Sequence, residues 1–106
     1  MNAYLILTAA IAFEVLGTLL LPASQNFTKA LPTVVLFAAY AVSFYLLAMV
    51  SQKLPLSIVY ASWSGMGVFA IAVLSCVFYK QALNWQVVVG LLLIVIGVVV
   101  VNIYRP

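Results

Sequence analysis

Four apolar runs, each about as long as a bilayer's hydrocarbon is thick, take up almost the whole chain and leave little freedom in what it can fold into. About 20 apolar residues cross a bilayer as one α-helix, because lipid offers no partner to backbone N–H and C=O groups and each segment must satisfy its own. The runs extend from about Ala3 to Leu21, Leu31 to Val50, Leu56 to Tyr79 and Trp85 to Tyr104. Pro22 and the polar residues after it break the first run, Pro32 suits the first turn of the second helix, and Gln52-Lys53-Leu54-Pro55 leads into the third. The connections are short, so neighbouring helices are expected to be antiparallel. The fold class predicted is all-α, a four-transmembrane-helix bundle, with residues 1–106 forming a single integral membrane domain.

The charge content excludes most other readings. Four Lys/Arg, one Asp/Glu and no His in 106 residues cannot make a water-facing surface; soluble domains carry about 25% charged residues. Scattered cations do not suit a nucleic-acid partner, which needs clustered Lys and Arg. The single cysteine, Cys76, rules out an intrachain disulfide or a thiolate metal site, and its apolar surroundings read as those of a small buried packing residue. There is no phosphate-binding loop, metal cluster or nucleophile–base constellation, so neither an enzyme nor a cofactor is expected. The first run differs from a signal peptide in lacking a positively charged start and in carrying Glu14 at its middle. It is expected to be a retained helix.

Tyr4, Phe27, Tyr79, Trp85 and Tyr104 fall near the predicted ends, where amphipathic rings favour the headgroup zone. Polar or small residues interrupt the first three spans. The fourth is almost uniformly aliphatic from Val87 to Val101 apart from Gly90 and Gly97, which lie on one face. Small residues permit close helix approach in lipid, so this span reads as a packing or dimerisation helix; the alternative is a lipid-facing helix in which both glycines are incidental.

Glu14 is the residue that violates its solvent. An ionisable group at the middle of a span costs several kcal/mol, and such groups usually face a bundle interior or a water-filled path. A structural ion pair has no candidate partner within the membrane, because Lys29, Lys53, Lys80 and Arg105 all fall in connections or at the end of the chain. Leu7, Ala10, Ile11, Gly17, Thr18 and Leu21 share the helix face of Glu14. Ala10, Gly17 and Thr18 are small and leave space, for another helix or for a ligand.

The third span adds a stripe of Tyr60, Trp63, Ser64, Gly67 and Ile71, with Tyr40 and Phe44 of the second span as a further wall. Each aromatic taken alone reads more readily as packing. Together with an unpaired carboxylate they suit a lipophilic cation, which leaves water most easily for Coulomb attraction plus cation–π contact. Gly65 and Gly67 weaken the third helix and mark either a hinge or a close approach.

Lys29 and Lys80 fall on one side of a four-span bundle, and Lys53 and Arg105 on the other. The positive-inside rule orients a chain by the difference between such counts. Here there is none, so insertion in both orientations is expected, which permits an antiparallel homodimer.

Particular residues also resemble the small multidrug resistance transporters over nearly the whole chain. They are Ala12-Phe13-Glu14-Val15-Leu16-Gly17-Thr18, Asn26-Phe27-Thr28-Lys29, Tyr40 with Ser43-Phe44-Tyr45-Leu46-Leu47, Tyr60-Ala61-Ser62-Trp63-Ser64-Gly65-Met66-Gly67, and Gly90 to Gly97. The resemblance implies an antiparallel (dual-topology) homodimer, or a heterodimer with a homologue, spanning the bacterial inner membrane several times. It implies proton-coupled export in which substrate and protons compete for Glu14, with Tyr40, Tyr60 and Trp63 lining the site and Thr18 and Ser64 flanking it. Glu-Val-x-Gly-Thr together with Trp-Ser-Gly looks like the polyaromatic-cation branch; the guanidinium exporters typically carry a Trp near the position of Gly17 and a Trp-Thr-Gly motif. Other outcomes in view are export of guanidinium, a polyamine or a betaine, and a non-transporting subunit of a heterodimer. The chain departs from the family at Pro22, usually Lys, and at Asn26, usually Gly.

Overall fold

Helix α1 begins where Asn2 offers its side-chain Oδ1 to the Tyr4 N–H at 2.8 Å, satisfying one of the donors that a helix start leaves free. It runs Ala3–Leu19. The computed structural model describes residues 2–104 and continues with α2 (Leu21–Ser24), α3 (Ala30–Ser51), α4 (Leu56–Phe78) and α5 (Trp85–Ile103). Among the described residues there is no strand. Four helices, counting α1 and α2 as one, are long and apolar enough to cross a membrane. At 1.5 Å per residue the 23 residues of α4 span about 34 Å, enough for a hydrocarbon core of about 30 Å.

Pro22 acts differently from the simple stop expected of it. Helix α1 already ends at Leu19, and Pro22 lies in the first turn of α2. Proline has no N–H to give the carbonyl four residues back, yet its fixed φ suits a helix start, so one residue closes the first helix and opens the next. After α2, Gln25, Asn26 and Phe27 all have positive φ, at 48°, 60° and 66°. The buried Ser24 holds this turn, its carbonyl accepting from the N–H groups of Thr28 and Lys29 at 2.9 and 3.0 Å. Phe27 stacks on Phe37 at 5.6 Å. The backbone at position 26 lies where glycine is easiest and asparagine is among the few others tolerated. The departure at Asn26 therefore keeps the geometry.

Helix α1 lies between α3 and α4, while α5 packs against α4 alone. The order across the molecule is thus α3, α1, α4, α5, in a slab 18 Å in its thinnest dimension. At one end, Ile6 and Leu7 of α1, Val50 of α3 and Val59 of α4 form a buried apolar cluster, with Leu46, Leu54 and Trp63 around it. Along the α1–α3 seam the buried Ser43 donates to the Ala10 carbonyl at 2.7 Å. The α4–α5 seam is closest at Gly65, where a Cβ would stand 2.5 Å from Val98 Cγ2.

The helix ends carry the predicted aromatics: Tyr4 and Trp85 start helices, and Tyr79 and Tyr104 end them. Tyr79 also donates its hydroxyl to the Leu19 carbonyl, joining the end of α4 to the break before α2. Cys76 corrects the sequence reading: it is exposed rather than buried. In the last turn of α4 only Ser75 faces inward, and Cys76, Val77 and Phe78 stand clear of the other helices. Lys29, Lys53 and Lys80 lie in connections, whereas Arg105 falls outside the described residues.

Candidate functional site

Glu14 sits near the middle of α1 on the side turned toward α4. Its side chain is half-buried, and the space for it comes from α4: a Cβ built at Gly67 would lie 2.9 Å from Glu14 Oε2. Thr18, one turn further on, donates its hydroxyl to Oε1 at 2.8 Å. The hydroxyls of Thr18 and Tyr40 are 2.6 Å apart. Oε2 is buried and, among the described residues, has no hydrogen-bond partner; the same holds for the indole Nε1 of Trp63. A buried polar atom left without a partner costs free energy, so two in one place require an explanation.

A cavity of about 460 Å³ opens beside these two groups. Glu14 and Thr18 form its α1 wall; Trp63, Ser64, Gly67, Ile71 and Ser75 form its α4 wall; Gln81 and Leu83 close its loop end. Its apolar walls with a few convergent polar groups have the character of small-molecule sites. A second groove of about 530 Å³ lies between α3 and α4, lined by Phe44, Leu47, Leu56, Tyr60 and Trp63. Trp63 is therefore the partition between the two spaces. Its ring is 5.9 Å from Phe44 and 6.1 Å from Tyr60, both of which line the second groove.

The structure brings Glu14, Thr18, Trp63, Ser64 and Gly67 together around one cavity, and sends the other expected residues elsewhere. Tyr60 and Phe44, 64% and 57% exposed, line only the second groove. Tyr40 reaches Glu14 only through Thr18. The space left by Ala10 and Gly17 is filled by α3, with Ala10 fully buried and a Cβ at Gly17 placed 2.9 Å from Tyr40 Cε1. Helix α4 is continuous through Gly65 and Gly67: Gly65 admits α5 and Gly67 admits the carboxylate. Among the described residues, nothing beyond the adjoining turns of α5 lies within 4 Å of a Cβ built at Gly90 or Gly97.

Three residues went unnoticed in the sequence. Ser75 extends the Gly67, Ile71 series by one more helical turn and could have been found by continuing that count. Gln81 carries no periodic signal, because it lies in the connection. Asn102 follows the aliphatic run of α5, and its Nδ2 donates to Ser62 Oγ at 2.8 Å while its Oδ1 accepts from the Tyr4 hydroxyl at 2.8 Å.

Comparison with known proteins accords with this arrangement. The Small Multidrug Resistance protein profile matches residues 2–94. The chain belongs to the small multidrug resistance family. It is 41% identical to the multidrug transporter EmrE of Escherichia coli strain K12, over 96% of this chain and 93% of that one. It is 37% identical to the quaternary ammonium compound-resistance protein QacC of Staphylococcus aureus, over 95% and 94% of the two chains. With QacE of Escherichia coli, another quaternary ammonium compound-resistance protein, the identity is 40% over 96% and 93%. Four apolar helices and this membership make the chain a multi-pass membrane protein.

Proposed function

We propose that the protein exports hydrophobic and quaternary ammonium cations across the bacterial inner membrane in exchange for protons. The two ions would take turns at Glu14. The observation that carries this reading is the buried, unpartnered Oε2 of Glu14 beside a cavity that also holds the unpartnered indole of Trp63. A carboxylate in hydrocarbon needs neutralising, and either a proton or an organic cation does so. One group that accepts either ion, but not both, couples their movements. Trp63 adds a π face for a cation that has lost its water, and the apolar walls favour cations carrying hydrocarbon. Relatives named for multidrug transport and quaternary ammonium resistance support the same substrate class.

The working unit in this reading is a homodimer of oppositely inserted copies. Equal Lys/Arg counts on the two sides support insertion both ways. The outward-facing Gly90 and Gly97 give α5 a surface on which a second copy can pack closely. Two inverted copies exchange roles when the assembly reorients, so the inward- and outward-open states need not differ in energy.

The test is tetraphenylphosphonium transport in liposomes driven by a pH gradient. Glu14→Gln should abolish transport and proton release on cation addition while retaining helix content. If Glu14→Gln still exchanges protons for the cation, the coupling is wrong. Guanidinium under the same conditions discriminates the metabolite-export alternative, which predicts that it outruns tetraphenylphosphonium.

A further inference from the structure

Several hydroxyl side chains inside these helices follow one local rule. Thr8, Thr33 and Ser64 each donate to the backbone carbonyl four residues back, at 2.8, 2.6 and 2.7 Å. That is the ordinary alternative for Ser and Thr within a helix. Thr18 has the same option at the Glu14 carbonyl and does not take it, donating instead to the Glu14 side chain at Oε1. A threonine hydroxyl has one proton, so with that proton committed its oxygen can only accept from Tyr40, 2.6 Å away. The chain thus has a direction: Tyr40 donates to Thr18, and Thr18 donates to Glu14. Gly17 makes this possible, because a Cβ there would stand 2.9 and 3.0 Å from Cε1 and Cδ1 of the Tyr40 ring. The other carboxylate oxygen, Oε2, lies over Gly67 with no partner among the described residues.

We infer that the two oxygens of Glu14 have separate jobs: Oε1 is tied down by the Tyr40–Thr18 hydroxyl chain, and Oε2 is the atom that gains and loses the proton. Tyr40 is then a positioning residue that works through Thr18, not a wall of the cation site. An oxygen that already accepts an O–H is the carbonyl oxygen of the protonated acid, which leaves its proton on Oε2. The same bond stops the carboxylate from rotating, so on deprotonation the oxygen with uncommitted lone pairs stays on the Gly67 side, and Glu14 and Gly67 both line the cavity. The assignment rests on the reading of Glu14 as the group shared by protons and cations.

The experiment uses the full chain in lipid and reads the infrared carbonyl band of protonated Glu14, assigned by its loss in Glu14→Gln. Thr18→Val keeps the shape of the side chain but removes the donor, and should move the band to higher wavenumber; Thr18→Ser should leave it in place. Tyr40→Phe should move it the same way by less, and should add nothing in the Thr18→Val background. Tetraphenylphosphonium affinity should follow the same pattern, falling about tenfold in Thr18→Val, the scale set by losing a hydrogen bond to a charged group. Tyr40→Phe should again be without further effect in that background, as expected for residues acting in series. An unmoved band in Thr18→Val overturns the inference. So does a Tyr40→Phe effect that persists at full size without the Thr18 hydroxyl, since Tyr40 would then touch the carboxyl or the cation itself. If the bands shift as stated but Glu14→Gln binds the cation with wild-type affinity, the oxygen assignment stands and the export reading falls.

Discussion

Helices α1 and α5 are of similar length, 17 and 19 residues, and both are strongly apolar, yet the molecule uses them in opposite ways. Helix α1 lies between two neighbours and buries Ile6, Leu7, Ala10, Val15 and Gly17. Helix α5 packs along α4, meets α1 through the Asn102–Tyr4 hydrogen bond at its end, and buries only Leu91. Hydrophobicity does not separate them, because lipid solvates an aliphatic side chain as well as another helix does. What separates them is the placement of small and polar residues. In α1 Ala10 and Gly17 face α3, which brings Tyr40 within reach of Thr18, and Glu14 faces α4. In α5 the glycines face away from the chain, and the close approach at its seam is provided by Gly65 of the other helix.

Gly67→Ala tests the half of this contrast that belongs to α1. The added Cβ would stand 2.9 Å from Oε2 and 3.8 Å from Cδ of Glu14. The obstacle is the far end of a flexible side chain, so the fold should yield easily and stability should change by no more than about 1 kcal/mol. The carboxylate, however, must leave its seat. Tetraphenylphosphonium affinity should fall by at least about tenfold, a loss of about 1.4 kcal/mol. A large loss of stability with unchanged affinity would make Gly67 a packing residue and remove the link between α4 and the chemistry of α1.

Gly65, Gly90 and Gly97 test the other half. Gly65→Ala forces a Cβ to within 2.5 Å of Val98 and 3.3 Å of Ile94, and should cost about 1–3 kcal/mol by overpacking. The Cβ of Gly90→Ala or Gly97→Ala meets no other helix among the described residues, so the isolated fold should stay within about 0.5 kcal/mol of wild type. Any further loss should depend on protein concentration, as a dimer contact does. A loss from Gly97→Ala that is the same at every concentration would mean that α5 has an inward face after all.

The fold class was readable because bilayer thickness fixes helix length and the four apolar runs match it. Glu14 was readable for a related reason: one charge in hydrocarbon stands out without any knowledge of its neighbours. Its neighbours were less readable, because helical spacing says which residues share a face and not which helix covers that face. Ala10 and Gly17 share the face of Glu14, yet both belong to the α3 seam, and only Thr18 stays with the carboxylate. Tyr60 and Trp63 are three residues apart and were read as one wall; Trp63 divides two spaces and Tyr60 lies on the far one. Cys76 was misread because an apolar neighbourhood implies burial in water but not in lipid. Pro22 was recognised as a break, while its second action, opening α2, depends on the residues after it.

Asn102 offers the finest test, because it is the polar residue that follows the aliphatic run of α5. Its Nδ2 donates to Ser62 Oγ and to the Val98 carbonyl, both at 2.8 Å, and its Oδ1 accepts from Tyr4. One amide therefore joins the end of α5 to α4 and to the start of α1. In water the loss of such a cluster would be expected to cost several kcal/mol. In lipid the unfolded reference state finds partners too, and measured interhelical hydrogen bonds average about 0.6 kcal/mol with a maximum near 1.7. Asn102→Leu should therefore lower stability by only about 0.5–2 kcal/mol in a denaturant titration in lipid micelles. In a double-mutant cycle, Tyr4→Phe should couple to it by about 0.6 kcal/mol. A cost well above about 2 kcal/mol would mean that α5 is held by its amide and not by the Gly65 seam. A stabilising effect would mean that the seam alone suffices and that Asn102 is retained for something other than holding the helices together.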